Sequence, residues 1–366
     1  MLLNLLIPKN KNDLYYLMNQ DIPVMEFKLD TFGITYTRIL NKPLLPEMLK
    51  IQEGRGLENW LRRRSVDFTR SNARLMLKQF NLGLDEIQVV IANRALTMTD
   101  TYWVKQVGEG ILFDSVFLRN KPHNVKIAIT SLSGARMDLI PDVNTELTNI
   151  GSYEKAWIRD IDGEWWLLKG GDNKSTYAEL FTYNLAEVLG YPVAVYKYHE
   201  ANTVASRNFI TEDYILEHYH SLKFMFNNRE MEEKTVYNNL KTVSGSIAEE
   251  YRNMLLLDAL VCNIDRHEHN FGVIKSSNTG DIIRLAPNFD NNLAFGGPSS
   301  PNVQMLEDYI EGVGISKHQK GNLFKITLEL LLKIDKKVKT EMSYKGNVLD
   351  FTKYFENIIR VLEGLV

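Results

Sequence analysis

Apolar and polar positions alternate between residues 22 and 40, with Val24, Glu26 and Lys28 before Asp30-Thr31-Phe32-Gly33 and Ile34, Tyr36 and Arg38 after it. A period of two, broken by a short glycine-containing turn, predicts a β-hairpin. From Leu57 to Val90 the spacing lengthens to three and four, in the groups Leu57, Trp60, Leu61, then Ala73, Leu75, Leu77, Phe80, then Leu84, Ile87, Val90. That spacing predicts two or three short helices, with Gly83 dividing the last two groups. Residues 98–150 mix aromatic and polar positions without a period, and Pro141-Asp142-Val143-Asn144 suggests a boundary near residue 145.

Beyond it the pattern sharpens. Ala156-Trp157-Ile158-Arg159 and Trp165-Trp166-Leu167-Leu168-Lys169 flank Asp160-Ile161-Asp162-Gly163-Glu164, a second hairpin with Asp-Gly in its turn. Residues 170–176 break the strand and lead into a helix over 177–189, closed by Gly190 with Pro192 beyond it. Residues 193–196 and 207–210 are strand candidates, and 213–261 reads as helical apart from a surface interruption at 226–230. A third hairpin joins 271–274 to 282–285 through Asn278-Thr279-Gly280-Asp281; a Gly, Pro, Ser and Asn-rich loop follows at 291–303, and helices run over 323–338 and 348–365. No internal repeat or low-complexity tract interrupts this. The expectation is an α+β fold: an α/β accessory module over 1–145, a smaller mixed lobe over 146–212 and a larger helical lobe over 213–366.

Composition narrows the class. At 366 residues and 44% hydrophobic, the chain can bury more than one core. Lys+Arg 43 against Asp+Glu 46 leaves a net charge of -3, so no overall basic field favours direct nucleic-acid contact or an anionic membrane. Arg62-Arg63-Arg64 is the one basic run in its region, and a solvated helix end explains it more readily than a nucleic-acid contact. The single Cys262 excludes an intramolecular disulfide and fits a reducing compartment, hence the cytoplasm. The apolar opening Met1 to Ile7 is too short for a signal-peptide core, and no stretch approaches the ~20 apolar residues of a transmembrane helix.

Candidate chemistry concentrates in Asn263-Ile264-Asp265-Arg266-His267-Glu268-His269-Asn270-Phe271-Gly272, directly after the apolar run from Met254 to Val261. Burying such groups unpaired is costly, so folding alone does not explain the cluster. Asp265 and Asn270 lie five positions apart and Asp290 twenty positions further on, after the third hairpin. A hydroxyl-orienting carboxylate followed at that offset by a metal-binding carboxamide, with a later Asp completing the metal site, is the arrangement of phosphoryl transfer in kinases. Mg²⁺ takes few protein oxygens and completes its octahedron with water and phosphate, so Asn270 and Asp290 suffice as ligands. Asp265 is then the base.

Upstream, Lys169 ends a strand and Glu179 lies ten residues on, in the next helix, where a phosphate-binding Lys and its Glu partner are needed. Gly151 and Ser152, in Thr148 to Tyr153, occupy the place of a phosphate-covering turn, although no GxGxxG is present. Each has an ordinary reading too: a solvated strand-end lysine, a helix-surface Glu179, a turn cap at Asp290, a small core residue at Cys262. Arg266 reads as a fastener of the loop to a carboxylate. His267 and His269 lack further ligands at zinc spacing. Taken singly, simple roles suffice except at Asp265 and Asn270; in the order Lys, Glu, Asp, Asn, Asp they do not.

The segment 263–272 followed by Leu285-Ala286-Pro287-Asn288-Phe289-Asp290 resembles the HipA-like Ser/Thr kinases, over about residues 145–366. The DRHxxN element is shared with phosphatidylinositol kinases, but those continue into Asp-Phe-Gly, which this chain lacks. The resemblance implies a two-lobed protein-kinase-like fold, ATP and Mg²⁺ as cofactors, Asp265 as catalytic residue, Asn270 and Asp290 on the metal, Lys169 on the ATP phosphates with Glu179 beside it, and Ser152 as an autophosphorylation candidate. It also implies a protein Ser/Thr substrate and, since the family is known chiefly from toxin-antitoxin modules, an antitoxin-like or regulatory partner. The alternatives are a kinase of a small molecule or lipid headgroup, and a nucleotide-binding pseudokinase scaffold.

Overall fold

The computed structural model describes residues 13–30, 33–51, 53–65, 86–121, 155–200, 202–344, 346 and 349–365. In chain order its main elements begin with β1 (Asp13–Asn19), β2 (Ile22–Asp30), β3 (Gly33–Ile39), α1 (Glu53–Arg62), α2 (Glu86–Ala92) and β4 (Tyr102–Gln106). Next come β5 (Lys155–Arg159), β6 (Trp165–Gly170), α3 (Asn173–Leu189), β7 (Tyr196–Glu200), β8 (Thr203–Arg207) and β9 (Tyr214–His218). The rest are α4 (Glu233–Val243), α5 (Gly245–Val261), β10 (Gly272–Ser276), β11 (Ile282–Leu285), α6 (Gln304–Gly312), α7 (Lys317–Leu323), α8 (Leu328–Glu341) and α9 (Thr352–Glu363). The chain divides into two compact units, one of residues 1–169, 208–225 and 273–283, the other of 170–207, 226–272 and 284–366.

In the first unit β3-β2-β1-β4 form one antiparallel sheet. The hairpin expected at 22–40 is β2 and β3, in register from Met25 with Ile39 to Asp30 with Gly33. The helical spacing at 57–61 and 87–90 yields α1 and α2, while the group Ala73 to Phe80 lies outside the described residues. Tyr15, Leu17, Val24 and Phe27 are buried with Leu57, Leu61, Val90 and Val104 in one core, each large side chain worth about 1.5–3 kcal/mol on removal from water. β1 and β4 had no clear alternation to announce them.

The basic run splits. Arg62 is exposed and pairs with Glu58 and Glu86, whereas Arg64 is 7% exposed and grips both oxygens of Asp100 at 2.8 Å. The solvated-end reading therefore fails at Arg64, because the turn after α1 carries it inward. β9, β10 and β11 form a second sheet of this unit, in the order β11-β10-β9. Residues 214–218 were expected to be helical; strand pairing overrides their weak periodicity. At the tip of the β10-β11 hairpin Gly280 has φ +79°, and a Cβ there would meet Pro43 O at 2.2 Å, so only glycine fits.

β5 and β6 form the expected Asp-Gly hairpin, from Lys155 opposite Lys169 to Arg159 opposite Trp165. In the second unit β7 and β8 form another. The strands lie at 196–200 and 203–207, not at 193–196 and 207–210; Val193 instead makes an isolated parallel bridge to Asn288. α3 starts four residues earlier than expected, because Asp172 and Ser175 close a reciprocal capping box at 2.7 and 2.8 Å. Gly190, at φ 70°, ends it as expected. The C-terminal helices form as α8 and α9, while α6 and α7 were not anticipated.

The core of this unit is aromatic. Phe295, from the loop after Asp290, is fully buried with its ring centroid 5.3 Å from Tyr177, 5.1 Å from Phe181 and 4.4 Å from Phe351. Its amide donates to Val261 O at 2.7 Å, and Lys174 Nζ donates to Gly297 O and to Ser299 O. The loop expected at 291–303 is thus held against α3 and the end of α5. No described helix is long and apolar enough to cross a membrane.

Candidate active site

α5 is apolar almost throughout its last two turns, and Asp258 is the exception, wholly buried. The helix stops at Cys262, which is buried and left-handed at φ 50°. Asn263 N–H then returns to Asp258 O at 2.8 Å, a helix-ending turn that points the next residues back across the helix end. The segment 263–270 is delivered there as a loop.

Arg266 organises it. Its side chain is 6% exposed, and its Nε and Nη2 donate to the two oxygens of Asp258, each at 2.7 Å. The fastener expected of Arg266 is therefore present, and the carboxylate is Asp258. Nη1 donates to Asn270 O at 2.8 Å and to Phe289 O at 2.9 Å, while Nη2 also donates to Asn288 Oδ1 at 3.1 Å and Asn291 Oδ1 at 2.9 Å. One nitrogen thus binds the backbone of both segments that carry the predicted metal ligands. Burial opposes the charge, but Asp258, with a smaller contribution from Asp290, holds the guanidinium pKa above its ordinary value. An Arg fork can do this because it has five donors and no acceptor.

The carboxylate of Asp265 is treated differently. Its side chain is 40% exposed, and His267 Nε2 lies 3.8 Å from Oδ2. Asp265 N–H donates to Asn263 Oδ1 at 3.3 Å, and Asp265 O accepts from Asn270 Nδ2. The backbone is fastened and the carboxylate is left to solvent. His267 Nδ1 accepts from His269 N–H at 3.1 Å, so in neutral His267 the proton sits on Nε2, toward Asp265.

Asn270 is 1% exposed and closes this loop through both side-chain atoms: Nδ2 to Asp265 O, and Oδ1 accepting His267 N–H at 2.8 Å. A carboxamide oxygen has a second lone pair, so one acceptor position remains at Oδ1. Asp290 sits at φ 62°, a conformation costly for most residues and tolerated best by Asn and Asp. Its N–H donates to Tyr196 Oη at 3.0 Å. The next residue, Asn291, donates its N–H to Glu179 Oε2 at 2.9 Å.

Asp265, Asn270, Asp290 and Glu179 therefore belong to one network in the second unit. Glu179 is 1% exposed, unlike a helix-surface charge. Lys169 closes β6 in the first unit at 8% exposed, unlike a solvated strand end. Gly151 and Ser152 lie outside the described residues. A hard oxygen donor set, one carboxamide and one carboxylate on loops tied by a single guanidinium, fits Mg²⁺. Asp258, Tyr196 and Asn291 were missed by sequence reasoning; the one available signal was Asp258 itself, a lone acid in the apolar last two turns of α5.

No protein-family model and no curated protein matches the chain. Among solved structures, it is similar to HipA of the Shewanella oneidensis MR-1 toxin-antitoxin system, determined with HipB and operator DNA, with a TM-score of 0.55 at 16% identity over 96% of this chain and 97% of that one. The Helicobacter pylori proinflammatory kinase CtkA matches with a TM-score of 0.41 at 17% identity, over 57% of this chain and 90% of that one. The molecule has a mixed α/β fold. That fold is similar to the one of HipA over nearly the whole chain, not only over the 145–366 that the motifs span.

Proposed function

We propose that the chain is an ATP- and Mg²⁺-dependent phosphotransferase acting on a protein Ser or Thr hydroxyl. The observation that carries this reading is the contrast between Asp265, whose carboxylate is exposed, and the loop around it, which buried Arg266 and Asn270 fasten through their side chains. A base must be reachable by the acceptor hydroxyl, and its backbone must not move. Asp265 orients the hydroxyl and takes its proton as the new O–P bond forms and the bond to the leaving ADP oxygen breaks. Asn270 and Asp290 would hold Mg²⁺, which when bound would offset the negative charge of the phosphates. By resemblance, Lys169 is assigned to the ATP phosphates and Glu179 to its support, with Gly151 and Ser152 as further nucleotide-binding candidates. In this reading residues 146–212 form the small lobe, 213–366 the large lobe, and 1–145 an accessory module.

The HipA structure contains HipB, which supports a protein partner of the antitoxin kind here. The test is incubation with γ-labelled ATP, alone and with host lysate, with and without Mg²⁺. Mg²⁺-dependent label on a protein Ser or Thr, absent with Asp265→Ala, is expected. Turnover of ATP with no labelled protein overturns the substrate class, and no turnover with Mg²⁺-dependent ATP binding leaves a scaffold.

A further inference from the structure

Behind the Arg266 network the second unit encloses a small cavity lined by Tyr191, Glu250, Asn253, Met254, Leu285 and Asn288, among others. About 10 Å³ of it is open to the centre of a water molecule, close to what one water needs. Its lining is mostly apolar, but two polar atoms of the residues that line it have no protein partner: Asn288 Nδ2 and Tyr191 Oη, on residues 3% and 4% exposed.

The Asn288 amide cannot be turned round to relieve this. Its Oδ1 accepts from Arg266 Nη2, and a guanidinium only donates, so the oxygen stays on the arginine side and the NH₂ group points away from it. The backbone is fixed as well: Asn288 N–H donates to Pro192 O and its carbonyl accepts from Ala194 N–H, both at 2.9 Å. A buried donor without a partner is costly, and a water relieves it where there is room for one and polar groups to hold it. Glu250 brings acceptor capacity, since Oε2 takes Leu285 N–H at 2.8 Å and a carboxylate has lone pairs to spare. The same carboxylate disfavours an anion. Burial pushes the Tyr191 hydroxyl up to about 12, with Asn322 drawing it back without completing a hydrogen bond, so the group keeps its proton at neutral pH.

We propose that this cavity is a hydration site, in which one ordered water accepts from Asn288 Nδ2 and bonds to Glu250 and Tyr191 Oη, making Asn288 a positioning residue for the metal-binding loops. The path is short. The water fixes the Asn288 amide, Asn288 Oδ1 fixes Arg266 Nη2, and Arg266 Nη1 holds Asn270 O and Phe289 O beside Asp290. The positioning half rests on the proposed function; the hydration half does not.

Two measurements decide it. In crystals of the full chain that show ordered water, density is expected within hydrogen-bond distance of Asn288 Nδ2 and of Glu250 or Tyr191 Oη. A dry cavity, or an amide satisfied by a protein group, overturns the hydration site. In the second, thermal stabilisation by ATP is titrated with Mg²⁺. Asn288→Asp keeps the acceptor for Arg266 but replaces the amide donor with a carboxylate oxygen, and raises the half-maximal Mg²⁺ about tenfold, one hydrogen bond's worth. Tyr191→Phe, which touches neither loop, raises it about threefold and carries the test should Asn288→Asp not fold. An unchanged half-point with a lowered melting temperature means a merely structural role and overturns the positioning claim. A wild-type chain that gains no stability from Mg²⁺ and ATP overturns the proposed function and the positioning role together, while the density still decides the hydration site.

Discussion

Lys275 in the first unit and Arg266 in the second are both buried cations gripped by carboxylates. Lys275 is wholly buried, with Nζ 2.7 Å from Glu47 Oε1 and 2.8 Å from Glu217 Oε2. Glu217 Oε1 also accepts Glu47 N–H at 2.6 Å and Ser221 Oγ–H at 2.6 Å. Lys50 Nζ also pairs with Glu47 Oε1 at 2.7 Å, so the cluster serves as a knot among the segments at 47, 217 and 275. Arg266 satisfies Asp258 with part of its fork and spends the remainder on carbonyls and carboxamides of two loops. The difference lies in the side chain: an ammonium is a compact charge, whereas a planar guanidinium can be neutralised on one edge and still direct donors from the other. A cation that only balances charge stabilises; one with donors left over can also set the geometry of a site.

Arg266→Met should break both properties at once. Removing one partner of a buried pair costs about 3–5 kcal/mol, and phosphoryl transfer should vanish in whatever remains folded, as read by melting temperature and labelled-ATP assays. Lys275→Met should cost a similar ~3–5 kcal/mol, yet leave transfer per folded molecule within a few-fold of wild type. If Lys275→Met abolishes transfer at a temperature where the chain is still folded, the distinction between knot and scaffold is wrong.

Asp265→Ala is the inverse case: transfer falls by about 10²–10⁴-fold, the range for a positioned base, while stability stays within about 0.5 kcal/mol because the carboxylate is exposed. The knot also has a pH signature. Burial lowers the Lys275 pKa, but Glu217 and then Glu47 outweigh it and leave it raised. The fold therefore binds this proton more tightly than the unfolded chain does. Its contribution is complete below the ordinary lysine value of ~10.4 and is lost as pH rises through the folded value. Denaturant titrations should show an alkaline loss that Lys275→Met removes. The smallest effect is Tyr196→Phe, which deprives Asp290 N–H of its acceptor at a cost of about 0.5–1.5 kcal/mol; it should raise the Mg²⁺ requirement without changing the fold.

What local pattern could encode was legible. The period-two runs at 22–40 and 156–169 became hairpins, Gly190 ended a helix, and the spacing of Asp265, Asn270 and Asp290 marked residues that one guanidinium network now joins. Even the aspartate-serine box at Asp172 was present to be read, and it sets the helix start four residues earlier than the apolar spacing did. The rest depended on partners distant in sequence. Residues 214–218 are a strand because a sheet offers them hydrogen bonds, a fact absent from their own composition. Asp258 looked like a flaw in an apolar helix until the left-handed turn at Cys262 brought Arg266 back onto it. Tyr196 and Glu179 became supports of Asp290 and Asn291 only through packing. The sequence by itself determined which groups are candidates for the chemistry, since residue type and spacing are local properties; the tertiary structure decided which of them are exposed and which are buried to hold the others, since burial and pairing are properties of the whole fold.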